Sequence, residues 1–192
     1  MNTVRILILG STYLTELVVD ELKSSGFNLI GYVPNSVRST VPGNVSLEKT
    51  TVDCDYDLAI SIQYDSLIKS NPKTFNLHTG LLPEFGGLDI LRHTLNEGKR
   101  EQGLTFHRMT DEYDHGPIVS KITYPVLPED TETSLYIKQC SIAPSFVVSC
   151  LKLIGGMSVE SVGKCIIEPP RILEREYKVD PIDVKELHNE SN

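Results

Sequence analysis

The start of the chain alternates strand, helix and strand, and this pattern constrains the fold most. Residues 4–9 form an apolar run that ends at Gly10, and Ser11 or Thr12 can cap the apolar-striped helix that follows. Residues 28–33 form a second apolar run. Such a β-α-β unit has a right-handed crossover between parallel strands. We therefore expect an α/β fold with a mostly parallel, twisted sheet and helices on both faces.

Later apolar runs extend the sheet. Residues 34–55 are polar and have no clear period, which predicts a loop. The remaining runs predict strands at 58–62, 74–78, 104–109 and 118–126, a short helix over 64–70, a helix over 88–98 and a long helix over 133–154 that is kinked at Pro144. The acidic residues 110–116 form the loop between the last two strands, so we expect an antiparallel pair in the C-terminal half.

Composition narrows the class of protein. A chain of 192 residues predicts a single domain, 1–192, and leaves the packing of its extension, 157–192, open. A net charge of −8 argues against nucleic-acid binding. The first apolar run is too short for a signal peptide and no run is long enough to cross a membrane, which favours a cytoplasmic protein without a membrane partner. The scattered cysteines indicate reduced, structural thiols and no metal site: Cys54, Cys140, Cys150 and Cys165.

The strongest motif begins in the fourth predicted strand. Asn76 and His78 are two positions apart, so their side chains point to the same face. Downstream come Leu81-Leu82-Pro83-Glu84-Phe85-Gly86-Gly87 and then Asp114-His115-Gly116-Pro117-Ile118. An isolated Asn-x-His pair is more often structural than catalytic, but the ordered set resembles the formyltransferase family that uses 10-formyltetrahydrofolate. The similarity runs from about Leu58 to Leu153.

This resemblance implies a fold and an activity. The family includes glycinamide ribonucleotide formyltransferase, the catalytic half of methionyl-tRNA formyltransferase and the N-formyltransferases of amino-sugar nucleotides. Its catalytic asparagine, histidine and aspartate correspond to Asn76, His78 and Asp114. The implied fold is the Rossmann-like formyltransferase fold, and the implied reaction moves a formyl group from 10-formyltetrahydrofolate to a primary amine without a metal ion.

The chemistry of formyl transfer explains these residue types. An amine that attacks the formyl carbon creates a tetrahedral alkoxide, which an amide NH2 and an imidazolium N–H can stabilise. Asn76 and His78 fit this role. A carboxylate can keep His78 protonated and can accept the proton that the amine loses, directly or through a water molecule. We expect this of Asp114.

The resemblance also suggests where the ligands bind. In the family the pterin lies between two segments, which gives the candidate folate contacts Ile62, Tyr64, Leu67, Thr110 and Tyr113. For Tyr64 and Leu67 a place in the core is an equal alternative. The candidate acceptor contacts are Gly10, Ser11, Thr12, Phe85, Gly86 and Gly87. The first three lie where free N–H groups at a helix N-terminus can bind a phosphate.

Among small-molecule acceptors the sequence favours a nucleotide-linked amino sugar. The tRNA enzyme has an additional barrel and a basic surface, for which this acidic chain leaves no room. The ribonucleotide enzyme has a phosphate-binding turn where this chain reads Gly10-Ser11-Thr12-Tyr13-Leu14, and substrate contacts where it offers Tyr136 and Gln139. Glycinamide ribonucleotide is the alternative acceptor.

Several alternatives stay open. A 10-formyltetrahydrofolate hydrolase would use the same three residues, although the family's hydrolases carry an additional N-terminal domain. A non-catalytic folate- or nucleotide-binding module would not need all three. The 34–55 loop either shapes the acceptor pocket or is a plain linker, and His107 either lines the cleft or packs in the core. The tail after Met157 either completes the domain or forms a homodimer.

Overall fold

The structure is a computed structural model that describes residues 4–37, 41–68, 73–155 and 172–173. The predicted helix stop at Pro72, Cys165 and most of the tail after Met157 lie outside the described residues. The strands are β1 (Arg5–Leu9), β2 (Asn28–Val33), β3 (Leu58–Ile62), β4 (Thr74–His78), β5 (Gly86–Gly87), β6 (Glu101–Arg108), β7 (Ile118–Pro125) and β8 (Ile172–Leu173). The helices are α1 (Tyr13–Ser24), α2 (Ile90–Asn96) and α3 (Glu132–Gly155).

The strands form one six-stranded sheet and one separate two-stranded pair. The large sheet has the order β2-β1-β3-β4-β6-β7, and β5 pairs with β8. Neighbours from β2 to β4 are parallel, whereas β6 runs antiparallel to both β4 and β7. This confirms the predicted α/β fold with a mostly parallel sheet and an antiparallel pair near its C-terminal half.

Alternation along the strands gives the sheet two different faces. One face forms the main core with α1 and α3, and its fully buried strand residues include Ile8, Ile60, Leu77, Leu104 and Phe106. The opposite face has a smaller apolar cluster around Leu7, Leu9 and Ala59. Because successive side chains point to opposite faces, the polar residues that alternate with the main core in β4 and β6 lie on this second face.

α3 is the long helix of the main core. It contains Pro144, as predicted, and its residues Leu135, Ala143 and Val147 are fully buried. Its length and composition alone would also allow it to cross a membrane. Its buried stripe instead packs against the sheet and α1, as expected for the core helix of a folded domain. Burial raises the pKa of the Cys140 and Cys150 thiols, both in α3, to about 12.

Two segments refine the sequence-based expectation. The short helix predicted over 64–70 is absent from its described part, residues 64–68, and this segment and the preceding Gln63 contact the loop after β2. The Asn35 amide donates to the Gln63 carbonyl at 2.8 Å, and the Asp65 carboxylate accepts from the Val37 N–H at 2.7 Å. In the described parts of 34–55 the backbone is irregular, as predicted, but Val41 is buried in the main core.

Phe106 is expected to be a major contributor to stability. Its ring is fully buried and stacks on Phe75 with 5.5 Å between the ring centroids. The substitution Phe106→Ala should lower the free energy of unfolding by about 3–5 kcal/mol, because it removes buried surface and leaves a cavity. Urea unfolding followed by circular dichroism measures this. The control Leu127→Ala, at a side chain that is 45% exposed, should change stability by less than about 0.5 kcal/mol. Equal effects of both substitutions would contradict the packing.

Candidate active site

A row of polar side chains crosses three strands on the second face of the sheet. Asn76 in β4 is the register partner of Ser61 in β3 and of His107 in β6. His78 is the partner of Thr105 one step along the same strands. The alternation predicted for Asn76 and His78 therefore holds, with Leu77 between them buried in the main core.

His107 connects the predicted asparagine to the predicted aspartate. The Asn76 Nδ2 and His107 Nε2 atoms are 3.1 Å apart, and His107 Nε2 lies 3.6 Å from Asp114 Oδ1. The other ring nitrogen, Nδ1, is 3.1 Å from the Arg108 carbonyl oxygen. A ring that donates from Nδ1 to this carbonyl can accept the Asn76 amide proton at Nε2. The His107 side chain is 2% exposed, so its contacts fix the orientation of both neighbours.

Asp114 is held from three directions. Its Oδ2 accepts the Gly87 N–H at 2.8 Å, and its Oδ1 lies 3.4 Å from His78 Nδ1 and 3.6 Å from His107 Nε2. Its backbone has a φ of +59°, a left-handed conformation that is uncommon outside glycine and turns the carboxylate from the loop towards the sheet. Burial by itself would raise the pKa of Asp114, but His107, His78 and the Gly87 N–H together lower it to about 2.

His78 lies beside Asp114 and is almost completely buried. Its Nε2 donates to the Phe85 carbonyl oxygen at 2.6 Å, and its Nδ1 faces Asp114. Burial lowers the pKa of His78, and the raising effects of Asp114 and of the Phe85 carbonyl offset only part of this. The expected imidazolium is thus disfavoured in this conformation. To donate to a formyl oxygen, Nε2 would first have to leave the Phe85 carbonyl.

A buried polar network positions the loop that carries Phe85 and Gly87. Gln102 is fully buried, and its Oε1 accepts the Leu81 N–H at 3.0 Å. The Thr105 hydroxyl accepts the Leu82 N–H at 3.0 Å and donates to the Gly80 carbonyl at 2.7 Å. Because both side chains come from β6, the strand that carries His107 also fixes the loop that contacts His78 and Asp114.

A pocket opens beside this network. Its lining includes Asn76, His107 and Asp114 together with four of the predicted folate contacts: Tyr64, Leu67, Thr110 and Tyr113. The structure therefore brings these four residues together with Asn76 and Asp114. His78 is not part of the wall and lies behind Asp114. Ile62, the fifth predicted contact, packs its fully buried side chain into the main core on the opposite face.

The predicted acceptor residues fall into two groups. Phe85, Gly86 and Gly87 lie next to the catalytic candidates. At the start of α1 the expected donors already have protein partners: the N–H groups of Gly10, Ser11 and Thr12 donate to Val33 O, Asn35 Oδ1 and Thr15 Oγ1. Glu16 also adds a negative charge to the first turn. A phosphate there would have to displace these contacts.

Three other residues considered in the sequence analysis do not line the pocket: Tyr136, Gln139 and His115. Tyr136 is 3% and Gln139 is 1% exposed, and Gln139 donates to the Thr79 carbonyl at 3.0 Å. Neither can contact an acceptor without a change in packing. His115 lies outside the network, with Nδ1 2.7 Å from the Tyr113 carbonyl oxygen.

Two contributors could not be assigned from the sequence. The link made by His107 depends on the register between β4 and β6, and only the antiparallel pairing puts it opposite Asn76. The sequence did indicate its face of the sheet, because His107 alternates with the apolar residues Leu104 and Phe106. The second contributor, the Gly87 N–H, is a backbone group, so the residue type does not reveal its role. Within the described residues, no group of three or more His, Cys, Asp and Glu side chains is arranged to hold a metal ion.

The lowered pKa of Asp114 predicts a pH-dependent loss of stability. Because the folded state holds the carboxylate below its unfolded pKa of about 3.9, stability is complete above that value and is lost as pH falls towards about 2. Urea unfolding across this range should show that the advantage of the wild type over Asp114→Asn shrinks with falling pH. The control Asn44→Ala, at an exposed position that carries no ionisable group, should keep a constant difference. A constant difference for Asp114→Asn as well would contradict the assignment.

Known proteins share sequence with this chain. Residues 62–151 match the formyl transferase family model. The chain is 38% identical over 90 residues, 44% of its length, to the bifunctional polymyxin resistance protein ArnA of Wigglesworthia glossinidia brevipalpis. It is 30% identical over 119 residues, 60% of its length, to the methionyl-tRNA formyltransferase of Chlorobium phaeovibrioides. The chain spans only 14% and 37% of these two relatives.

A solved structure shares the fold. WlaRD, a sugar 3N-formyl transferase crystallised with dTDP and 5-N-formyl-THF, superimposes with a TM-score of 0.72 at 18% identity. The match covers 88% of this chain and 67% of WlaRD. The likeness establishes the Rossmann-like formyltransferase fold.

Proposed function

We propose that this chain, whose residues 62–151 match the formyl transferase family model, transfers a formyl group from 10-formyltetrahydrofolate to a primary amine. The observation that carries the proposal is the pocket wall in which Asn76 and Asp114 converge through His107. An amide donor and an ionised carboxylate at one pocket are what attack on a formyl carbon requires.

In the proposed reaction the amine nitrogen attacks the formyl carbon, and the carbonyl electron pair moves to the oxygen. Asn76 Nδ2 donates to this oxyanion. Asp114 takes the proton that the amine nitrogen loses, and the intermediate then collapses with cleavage of the bond between carbon and the folate nitrogen. That nitrogen takes the proton back from Asp114. The products are the formamide and tetrahydrofolate.

His78 acts in this scheme as the partner of Asp114. When His78 is neutral, the positive charge that helps to lower the pKa of Asp114 is absent, and the proton can lie on either partner. The neutral ring that keeps its Nε2 proton on the Phe85 carbonyl has a free Nδ1 lone pair 3.4 Å from Asp114 Oδ1. The pair can share the proton, and the lowered pKa of His78 keeps Nδ1 available for it.

The acceptor we favour is a nucleotide-linked amino sugar. Two observations support it: the shared fold with WlaRD, whose structure contains dTDP, and the departure of residues 10–14 from the turn of the ribonucleotide enzyme. Because the donors at 10–12 are bonded within the protein, the acceptor's phosphates would bind another part of the surface. Glycinamide ribonucleotide is the alternative.

Loss of the two pocket-lining candidates should reduce turnover strongly. Asn76→Ala should lower kcat by about 10²- to 10³-fold, the usual effect of removing one oxyanion donor, and Asp114→Ala at least as much. The measurement is the rate of tetrahydrofolate release with saturating amine. Matched controls are Asn44→Ala and Asp53→Ala, at exposed positions outside the site. Wild-type turnover by Asp114→Ala would show that Asp114 is not the proton acceptor.

A panel of acceptors should separate the candidate functions. We expect tetrahydrofolate release from 10-formyltetrahydrofolate to depend on an amino-sugar nucleotide, with a formylated product seen by mass spectrometry. Dependence on glycinamide ribonucleotide instead would identify the alternative acceptor. Release without any amine would indicate a hydrolase, and no release under any condition would indicate a binding module.

A further inference from the structure

Residues 172–173, the described part of the tail, lie beside the site. Ile172–Leu173 forms β8, which pairs in parallel with Gly86–Gly87, with Gly86 opposite Ile172 and Gly87 opposite Leu173. This pair is separate from the main sheet. A segment more than 80 residues away in the chain therefore lies against the two glycines of the loop beside Asp114.

Gly86–Gly87 is the part of the loop that donates a hydrogen bond to Asp114. The Gly87 N–H is 2.8 Å from Asp114 Oδ2, and the preceding carbonyl, that of Phe85, is 2.6 Å from His78 Nε2. A shift of this short segment would therefore disturb the carboxylate and the imidazole together. Misplacement of about 1 Å in such groups can cost 10²-fold in rate.

A pair of glycines does not hold such a position by itself. Glycine has the largest backbone freedom of all residues, and Gly87 has a φ of +88° that few other residues adopt. The near end of the loop is fixed by Gln102 and Thr105, which bind Leu81 and Leu82. At the far end the backbone of β8 lies along the two glycines.

From this pairing we infer that Ile172–Leu173 is a positioning segment of the active site: its backbone holds Gly86–Gly87 in the conformation that presents the Gly87 N–H to Asp114. The effect on turnover rests on the proposed function, whereas the effect on the loop does not. The role belongs to the backbone of β8, so it should tolerate a change of side chain and should be lost when the ladder cannot form.

The test compares two double variants of the full chain. Ile172→Pro with Leu173→Pro removes both N–H groups and prevents ladder pairing, whereas Ile172→Ala with Leu173→Ala keeps the backbone. Three readouts follow: amide hydrogen exchange at Gly86 and Gly87, the pKa of the Asp114 carboxyl by carbon-13 NMR, and kcat with a folate titration. Should the double proline variant not fold, each single proline substitution is compared with its alanine counterpart.

We expect the proline variant to exchange the Gly86 and Gly87 amides at least about tenfold faster and to show a higher pKa of Asp114, since one donor to the carboxylate is weakened. Its kcat should fall by about 10- to 100-fold, with folate affinity unchanged because other segments line that pocket. The alanine variant should resemble the wild type in all readouts.

Unchanged exchange and an unchanged pKa of Asp114 in the proline variant would overturn the inference, as would equal effects of both variants, which would assign the role to the side chains. Faster exchange with an unchanged pKa and kcat would also overturn it. If the wild type releases no tetrahydrofolate with any amine, the proposed function fails, and the exchange and NMR readouts still decide whether β8 positions Asp114.

Discussion

The site depends on the placement of one buried carboxylate. Asp114 comes from a loop, yet it is anchored to the Gly87 N–H and to two imidazoles from neighbouring strands. A carboxylate buried without such partners would take up a proton or would destabilise the fold. The cause is the loss of hydration, which costs on the order of several kcal/mol for a buried ion. The contacts that lower the pKa of Asp114 are therefore also the contacts that orient its carboxylate.

The regular geometry of the sheet explains why these partners meet. Strand β4 alternates Phe75 and Leu77 in the main core with Asn76 and His78 on the other face, and β6 repeats the same alternation in register. Packing of the apolar residues against α1 and α3 therefore fixes the polar residues as well. A shift of one residue in the register would turn the polar set into the main core and the apolar set onto the second face, so packing of the core maintains the arrangement of the site.

Apolar periodicity predicted the strands of the main sheet and the shared face of Asn76 and His78, because these are local properties. The convergence of Asn76 with Asp114 was implied by the resemblance to the formyltransferase family. Sequence patterns did not predict the helix-free segment after β3 or the partner of the Ser11 N–H. The Asn35 side chain, from another loop, binds both Ser11 and the Gln63 carbonyl. Ile62 was predicted to contact folate, but the alternation of side chains along β3 directs it into the main core. The roles assigned to these residues stay predictions until activity is measured.

The two histidines divide the tasks around Asp114 in a way that their environments explain. His107 connects the carboxylate to Asn76, so it links the group that would accept a proton with the group that would hold an oxyanion. Burial lowers the pKa of His78, and its Nε2 donates to the Phe85 carbonyl oxygen. Proton transfer in the proposed reaction is therefore a property of the His78–Asp114 pair, because Asp114 lines the pocket and His78 Nδ1 lies 3.4 Å from its carboxylate.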